Sequence, residues 1–386
     1  MCRLAASLIV LGLLPLLTAG YLESDYPQAR VEPGPPSRPG PILPPPPPPR
    51  EDNVVTRYLD RATVHPPAHY RGLCLFPVSI RDEQPLRNLL SLAEALKSGA
   101  LRIEELDRAT VERARFVNTS KRFVFAMAGE VILGGKQNRA VRDDVLIGPD
   151  SSVVVPLYCI QQGRWHGGAK FGSAPGLGPP GIRSMVQSGR SQNDVWGEVE
   201  RSNRAGGVAS DSGDLGALLS DRKTRQTLAA CRKAVLPRLP RGCTGLVVSR
   251  GRRIVGADLF VDRAIFTRLR DRVIDSYALH CLVLHRPDPA RADRAPRWLP
   301  PPADRHAAKA YLDRCYRATY TIEPTPGLGR LHALSGAAEG RALSYDDNLL
   351  HLNLYEPLRV LPEPVPMPPP RPRPPGPRPP WPRGHE

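Results

Sequence analysis

Proline placement constrains this chain more than any other feature. Of its 46 prolines, 12 lie within residues 27–49, ending in six in succession from Pro44 to Pro49, and 13 lie within 361–386. Proline fixes φ and offers no backbone N–H to a helix or ladder. Tracts this dense favour polyproline II, at about 3.1 Å per residue, and bury no core. Packing is therefore left to the middle of a 386-residue chain. We expect a single α+β domain over residues 60–356, between a proline-rich disordered tract (21–50) and a proline-rich disordered tail (361–386). The 33 glycines show no three-residue period, which excludes a collagenous chain. Past the N-terminus no apolar run approaches about 18 residues, so no transmembrane span is expected in the mature chain.

Residues 1–20 read as a signal peptide. Arg3 precedes an apolar run over 4–17, broken by Pro15, and the small residues Thr18, Ala19 and Gly20 follow. That run is too short for an anchor, which needs about 20 apolar residues. The expected address is therefore periplasmic or secreted. Cys2 leaves with the signal, and six cysteines remain: Cys74, Cys159, Cys231, Cys243, Cys281 and Cys315. An even number in an oxidising compartment suggests disulfides, with six buried thiols as the alternative. Cys231 and Cys243 flank a turn-rich stretch (236–242) and are the expected pair. Such a bridge contributes about 3 kcal/mol on a chain-entropy account.

The formal charge is +16, and all but two units of it fall on the middle of the chain. An anionic small molecule or an envelope polyanion is a natural partner for such a surface. Only seven of the 54 basic residues are lysine, and no block of like charge occurs. A diffuse, solvated basic surface follows. Nucleic acid is not expected, since no binding motif or aromatic-interleaved basic strip is present.

Strand and helix signals alternate through the middle. Residues 72–80, 114–118, 123–133, 144–147 and 153–160 read as strands, joined by short polar turns that favour antiparallel neighbours. Ser91 and Glu94 form a capping box whose helix stops at Gly99. Residues 163–189 are rich in glycine and proline without a period, and read as a long loop or lid. Helices are expected over 193–203, 221–236 and around 307–317, and a hairpin joins 246–248 to 254–255. Asp262 caps the strongest helix, whose apolar residues Phe266, Leu269, Val273, Tyr277, Cys281 and Leu284 step by three or four. The fold class is α+β, a largely antiparallel sheet packed by three or four helices.

Most chemical motifs fail on inspection. Gly176 to Gly181 matches GxGxxG as a string, but no strand precedes it and two prolines spoil the turn. Gly129 to Lys136 resembles a phosphate loop with its lysine displaced, and Gln137 stands where a hydroxyl is required. No HExxH, GxSxG or CxxC occurs, and Pro66 and Pro67 separate His65 from His69. No cofactor or metal is expected.

Two strips survive. Gly134-Gly-Lys-Gln-Asn-Arg139 follows an apolar strand, and its glycines let backbone approach a ligand while Lys136, Gln137, Asn138 and Arg139 bring donors. Gln161-Gln-Gly-Arg-Trp165 leaves the next strand, with Arg164 to pair an anion and Trp165 to stack on a planar ring. The bland reading of each strip is a glycine turn whose polar groups satisfy local backbone. Gln192 and Trp196 complete the candidate ligand-binding set.

Those strips, with Asp144-Val-Leu146, Gln192-Asn-Asp-Val-Trp196 and Gly256-Ala-Asp-Leu-Phe260, resemble the ARG and rhodanese-phosphatase-superfamily-associated protein domain over residues 65–355. That family is named for association with ADP-ribosylglycohydrolase and phosphatase-like domains. The resemblance implies a link to nucleotide- or ADP-ribose-related ligands and carries over no catalytic residue. The first functional reading is an exported binding module that recognises an anionic ligand through the two loops. A hydrolase of ADP-ribose-like or phosphorylated substrates is the second, with Asp143, Asp144 or Asp194 as general base. A structural envelope protein, working through its proline arms, is the third.

Overall fold

The strand expected at 72–80 forms as β3 (Leu73–Ile80), and seven of its eight residues are buried. A strand buried on both faces needs a packed layer on each side. Leu73 and Leu75 enter one core, whereas Cys74, Phe76 and Val78 enter another. β13 (Cys243–Arg250) divides in the same way, Leu246 and Val248 facing the first core and Val247 the second. These strands lie side by side in a nine-stranded sheet.

Its path runs from β1 (Ala62–Val64) through β3, β13, β14 (Arg253–Phe260), β18 (Asn348–Tyr355), β17 (Glu339–Tyr345) and β16 (Arg330–Gly336) to β15 (Ala318–Glu323). β2 (Ala68–Tyr70) also pairs with β3. A six-stranded sheet has the order β12 (Phe171–Leu177), β8 (Glu130–Gly134), β9 (Arg139–Val141), β11 (Ser151–Cys159), β6 (Arg113–Asn118) and β5 (Leu101–Glu105). In a third sheet, β7 (Phe123–Ala126) lies between β10 (Val145–Ile147) and β4 (Leu89–Ser91). β4 pairs with β7 in parallel, and the other pairings are antiparallel. The fold class is thus α+β with largely antiparallel sheets.

The computed structural model describes residues 51–83, 85–106, 111–164, 171–284 and 302–356. The signal segment, both proline tracts and Trp165 lie outside the described residues. The described residues belong to one compact unit. No helix among them is long and apolar enough to cross a membrane.

Capping chemistry sets the helix ends where the sequence places it. Ser91 accepts from the Glu94 N–H, Glu94 answers to the Ser91 N–H, and α2 (Leu92–Ser98) stops at Gly99 with φ 73°. Such a cap contributes about 1 kcal/mol. Asp262 caps α7 (Arg263–Ala278), whose Phe266, Leu269, Val273 and Tyr277 are buried. The apolar stripe continues past the helix through Cys281 in the first core.

Eight α-helices occur among the described residues, more than the three or four expected. Those with no helix signal in the sequence are short: α1 (Val54–Arg61), α3 (Pro180–Gln187) and α5 (Leu215–Ser220) are too brief for a period to show. The others are α4 (Gln192–Gly206), α6 (Arg222–Val235) and α8 (Arg305–Asp313). Two expectations need correction. Residues 163–189 are not one loop, for they contain β12 and α3, where Pro180 is suited to the first helical turn. Residues 123–133 are not one strand, because a turn at 127–129 separates β7 from β8.

The expected Cys231–Cys243 disulfide is not formed, and all six cysteines are free and buried. Cys231 packs from α6 into the first core, while the Cys243 thiol donates to the Gly245 carbonyl at 3.2 Å. Burial raises both thiols, Cys231 to about 12 and Cys243 to about 11, which keeps them protonated and unreactive.

Candidate functional site

The two surviving strips meet. β8 and β9 form a hairpin whose turn carries Gly135, Lys136 and Gln137. Gly135 has φ 59°, and a Cβ there would come within 2.4 Å of the Phe171 ring, so glycine alone fits. Arg164 reaches this turn from the end of β11. Its guanidinium donates to the Gln161 side-chain oxygen at 2.7 Å, the Gly135 carbonyl at 3.2 Å and the Asn138 side-chain oxygen at 3.0 Å. None of these acceptors is charged.

The other strip residues differ in how far they are committed. Arg139 is fully buried, bonded through one nitrogen to both Glu105 oxygens at 2.7 Å, with its charge over the Phe171 ring. Asn138 accepts from the Gly134 N–H and donates to Asp214 at 3.0 Å. Gln137 is buried, and neither its amide oxygen nor its amide nitrogen has a hydrogen-bond partner among the described residues. An unpartnered buried amide costs about 1–3 kcal/mol. Lys136 is half-buried; its backbone N–H meets Glu105, and its ammonium makes no bond among the described residues.

Gln192 and Trp196 lie on α4. The Gln192 amide brackets the Cys159 backbone, accepting from its N–H at 3.1 Å and donating to its carbonyl at 2.7 Å. This fastens α4 to the end of β11. Trp196 is half-buried, with its indole N–H unpartnered. Neither residue touches the glycine turn in any hydrogen bond described.

The acids proposed for hydrolysis are separated. Asp194 is exposed and completes the capping box of α4 with Ser191. Asp143 is buried against Arg142 at 2.6 Å and Arg341 at 3.5 Å. Its carboxyl is raised by burial, more than the two arginines lower it. Asp144 belongs to a different constellation, one the sequence reading missed.

That constellation is an unbroken chain of charge inside the first core. Asp144 bonds His351 Nδ1 at 2.6 Å, His351 Nε2 lies 3.2 Å from Asp258, and Arg183 forks onto Asp258 at 2.6 and 3.0 Å. All four side chains are essentially inaccessible. Burial disfavours a charged imidazole, but Asp144 and then Asp258 outweigh it and lift His351 to about 9. Burial also opposes the Asp258 carboxylate, yet Arg183 and then His351 draw it down to about 2. Two cations thus face two anions. Glu130, bonded to Arg272 at 2.5 Å and to the Met127 N–H, extends the polar interior; burial raises its carboxyl despite Arg272.

Local sequence explains the geometry. Asp258 interrupts the apolar run of β14, and His351 lies directly across from Phe260 on β18. Its imidazole stacks on that ring at 4.4 Å. Arg183 enters from α3 past Gly129, whose φ of 80° and lack of a side chain leave room for the arginine stem. A Cβ at residue 129 would stand 2.4 Å from Arg183 Cγ. Gly129→Ala is therefore expected to destabilise the protein by more than about 1 kcal/mol in urea unfolding, since left-handed backbone and crowding add. The same exchange at Gly172, where a Cβ would meet nothing within 4 Å, is the matched control.

A model of the ARG and rhodanese-phosphatase-superfamily-associated protein domain matches residues 61–355. The chain belongs to this family. The match takes in the glycine turn, Arg164 and the whole Arg183–Asp258–His351–Asp144 chain, so both constellations lie within the matched domain and not in the proline arms. No curated protein and no solved structure matches the chain.

Proposed function

We propose that the chain is an exported module that binds an anionic, nucleotide- or ADP-ribose-like ligand at the 134–139 turn. Export rests on the 1–20 segment, with its single leading arginine and short apolar run. Binding rests above all on Gln137, a buried amide with both atoms unpartnered, set between Lys136 and a turn braced by Arg164. In this reading Lys136 meets the anion and Gln137 supplies orientation. Arg164, which meets no carboxylate among the described residues, contributes field, and Arg139 with Glu105 holds the floor. The family's name, which couples it to ADP-ribosylglycohydrolase, makes ADP-ribose the first ligand to try. A binding module is favoured over a hydrolase because Asp144 and His351 are sealed from solvent and Asp143 is tied to two arginines.

Calorimetric titration of the full chain with ADP-ribose tests this. Lys136→Ala is expected to weaken binding roughly tenfold or more, the worth of one charge-assisted hydrogen bond, without moving the unfolding midpoint. Wild-type affinity in Lys136→Ala, or no heat for ADP-ribose and AMP alike, would remove the site. Arg164→Ala is the less clean variant, because it also withdraws the brace from the Gly135 carbonyl.

A further inference from the structure

A basic hollow lies away from the glycine turn, on the side of the large sheet covered by the second core. It has a volume of about 330 Å³ and is walled by Arg252, Arg253, Tyr311, Arg314 and Glu356. That volume falls within the range of small-molecule sites, which begins at about 300 Å³. The turn between β13 and β14 supplies the first two arginines: Gly251 takes φ 56°, and Arg252 and Arg253 project exposed from the reversal. Neither guanidinium makes a hydrogen bond or ion pair among the described residues. α8 supplies Tyr311, which is 4% exposed and whose hydroxyl has no partner among the described residues. Arg314 lies over the Tyr311 ring at 5.1 Å and bonds Glu356 at 2.7 Å.

Charge decides what fits. Among the described residues three guanidiniums face one carboxylate, and Arg314 and Glu356 satisfy each other, which leaves Arg252 and Arg253 without a described counter-charge. Guanidinium forks match the oxygens of phosphate, and the excess of two positive charges matches a dianion. The apolar part of the wall, from Ile254, Ala307 and Ala310, suits a carbon skeleton beyond the phosphate rather than bare inorganic ion. We infer that this hollow is a phosphomonoester-binding site, with Arg252 and Arg253 on the phosphate and the Tyr311 hydroxyl as an additional donor. The inference does not rest on the glycine-turn site, and the two are separable by mutation.

The full chain titrated with ribose 5-phosphate, at about 0.15 M salt to screen diffuse charge, provides the test. One-to-one binding is expected, with free ribose failing to compete. The double variant Arg252→Ala/Arg253→Ala is expected to lose at least about tenfold in affinity, while its unliganded unfolding midpoint stays at the wild-type value because neither side chain holds structure. Arg222→Ala/Arg225→Ala, which removes two exposed arginines from α6, is expected to bind as wild type. Equal losses in the two double variants would assign the affinity to diffuse charge and overturn the site. So would wild-type affinity in Arg252→Ala/Arg253→Ala, or a loss seen only in Lys136→Ala.

Discussion

Arg183→Ala is expected to lower the unfolding free energy by about 3–5 kcal/mol, a large part of the roughly 5–15 kcal/mol available to a folded domain. Removing the guanidinium leaves Asp258 without its fork in an interior that excludes water. The neighbouring His351 offers only one bond at 3.2 Å, so the carboxylate is left partly unpaired. Arg183 also covers the face of Tyr355, and its stem occupies the space that Gly129 leaves, so a void adds to the electrostatic loss. Urea unfolding of wild type, Arg183→Ala, Asp258→Ala and the double variant closes a thermodynamic cycle. Losses in the two single variants should exceed what the double variant shows when they are added, because each removes the same pair. A single-variant loss below about 1 kcal/mol, or simple additivity, would mean that the ion pair does not hold α3 to β14.

The parts of this fold that declared themselves in the sequence were those governed by local rules. Ser91 with Glu94, Asp262, and the three-and-four spacing from Phe266 to Tyr277 each act within one or two turns, so their outcome needs no knowledge of the rest. β12 and α3 were hidden because glycine and proline at 163–189 erase periodicity, and only pairing with β8 makes Phe171–Leu177 a strand. Convergence of the two glycine loops is likewise a long-range fact, carried by the neighbours β8, β9 and β11. What sequence inspection overestimated was the freedom of the donors: Arg139 finds Glu105, which lies 34 positions away in the chain. The charged interior left one faint signal, namely single polar residues within apolar strands. Asp258 in Gly256-Ala-Asp-Leu-Phe260 and His351 among the leucines of β18 are such interruptions. An ionisable group in that setting must find a partner, and the partners came from α3 and from the turn before β10.

His351 makes the stability of this chain depend on alkaline rather than acid pH. Its folded imidazole titrates at about 9, against 6.5 for the ordinary group. A raised histidine contributes its full stabilisation below pH 6.5 and loses it as the pH climbs through 9. The unfolding free energy should therefore fall between pH 6.5 and 9, by up to about 3 kcal/mol at 1.36 kcal/mol per unit of pKa. Several other groups titrate outside that interval. Asp258, drawn down to about 2, loses its stabilisation only in acid, as the pH drops below 3.8 and through 2. Burial lifts the Cys231 and Cys281 thiols to about 12, so they weaken the fold only above their ordinary value of 9. Burial lowers His332, which opposes folding only when acid protonates it. Burial also raises the Glu130 and Asp143 carboxyls, so the share of the decline that belongs to His351 is the share that His351→Gln removes. Chemical unfolding at half-unit pH steps should show the decline in wild type and a clearly shallower one in His351→Gln, whatever the absolute stability of that variant. A wild-type profile without slope, or an equal slope in the glutamine variant, would show that the imidazole between Asp144 and Asp258 is neutral. The interior would then carry the arginine against two carboxylates.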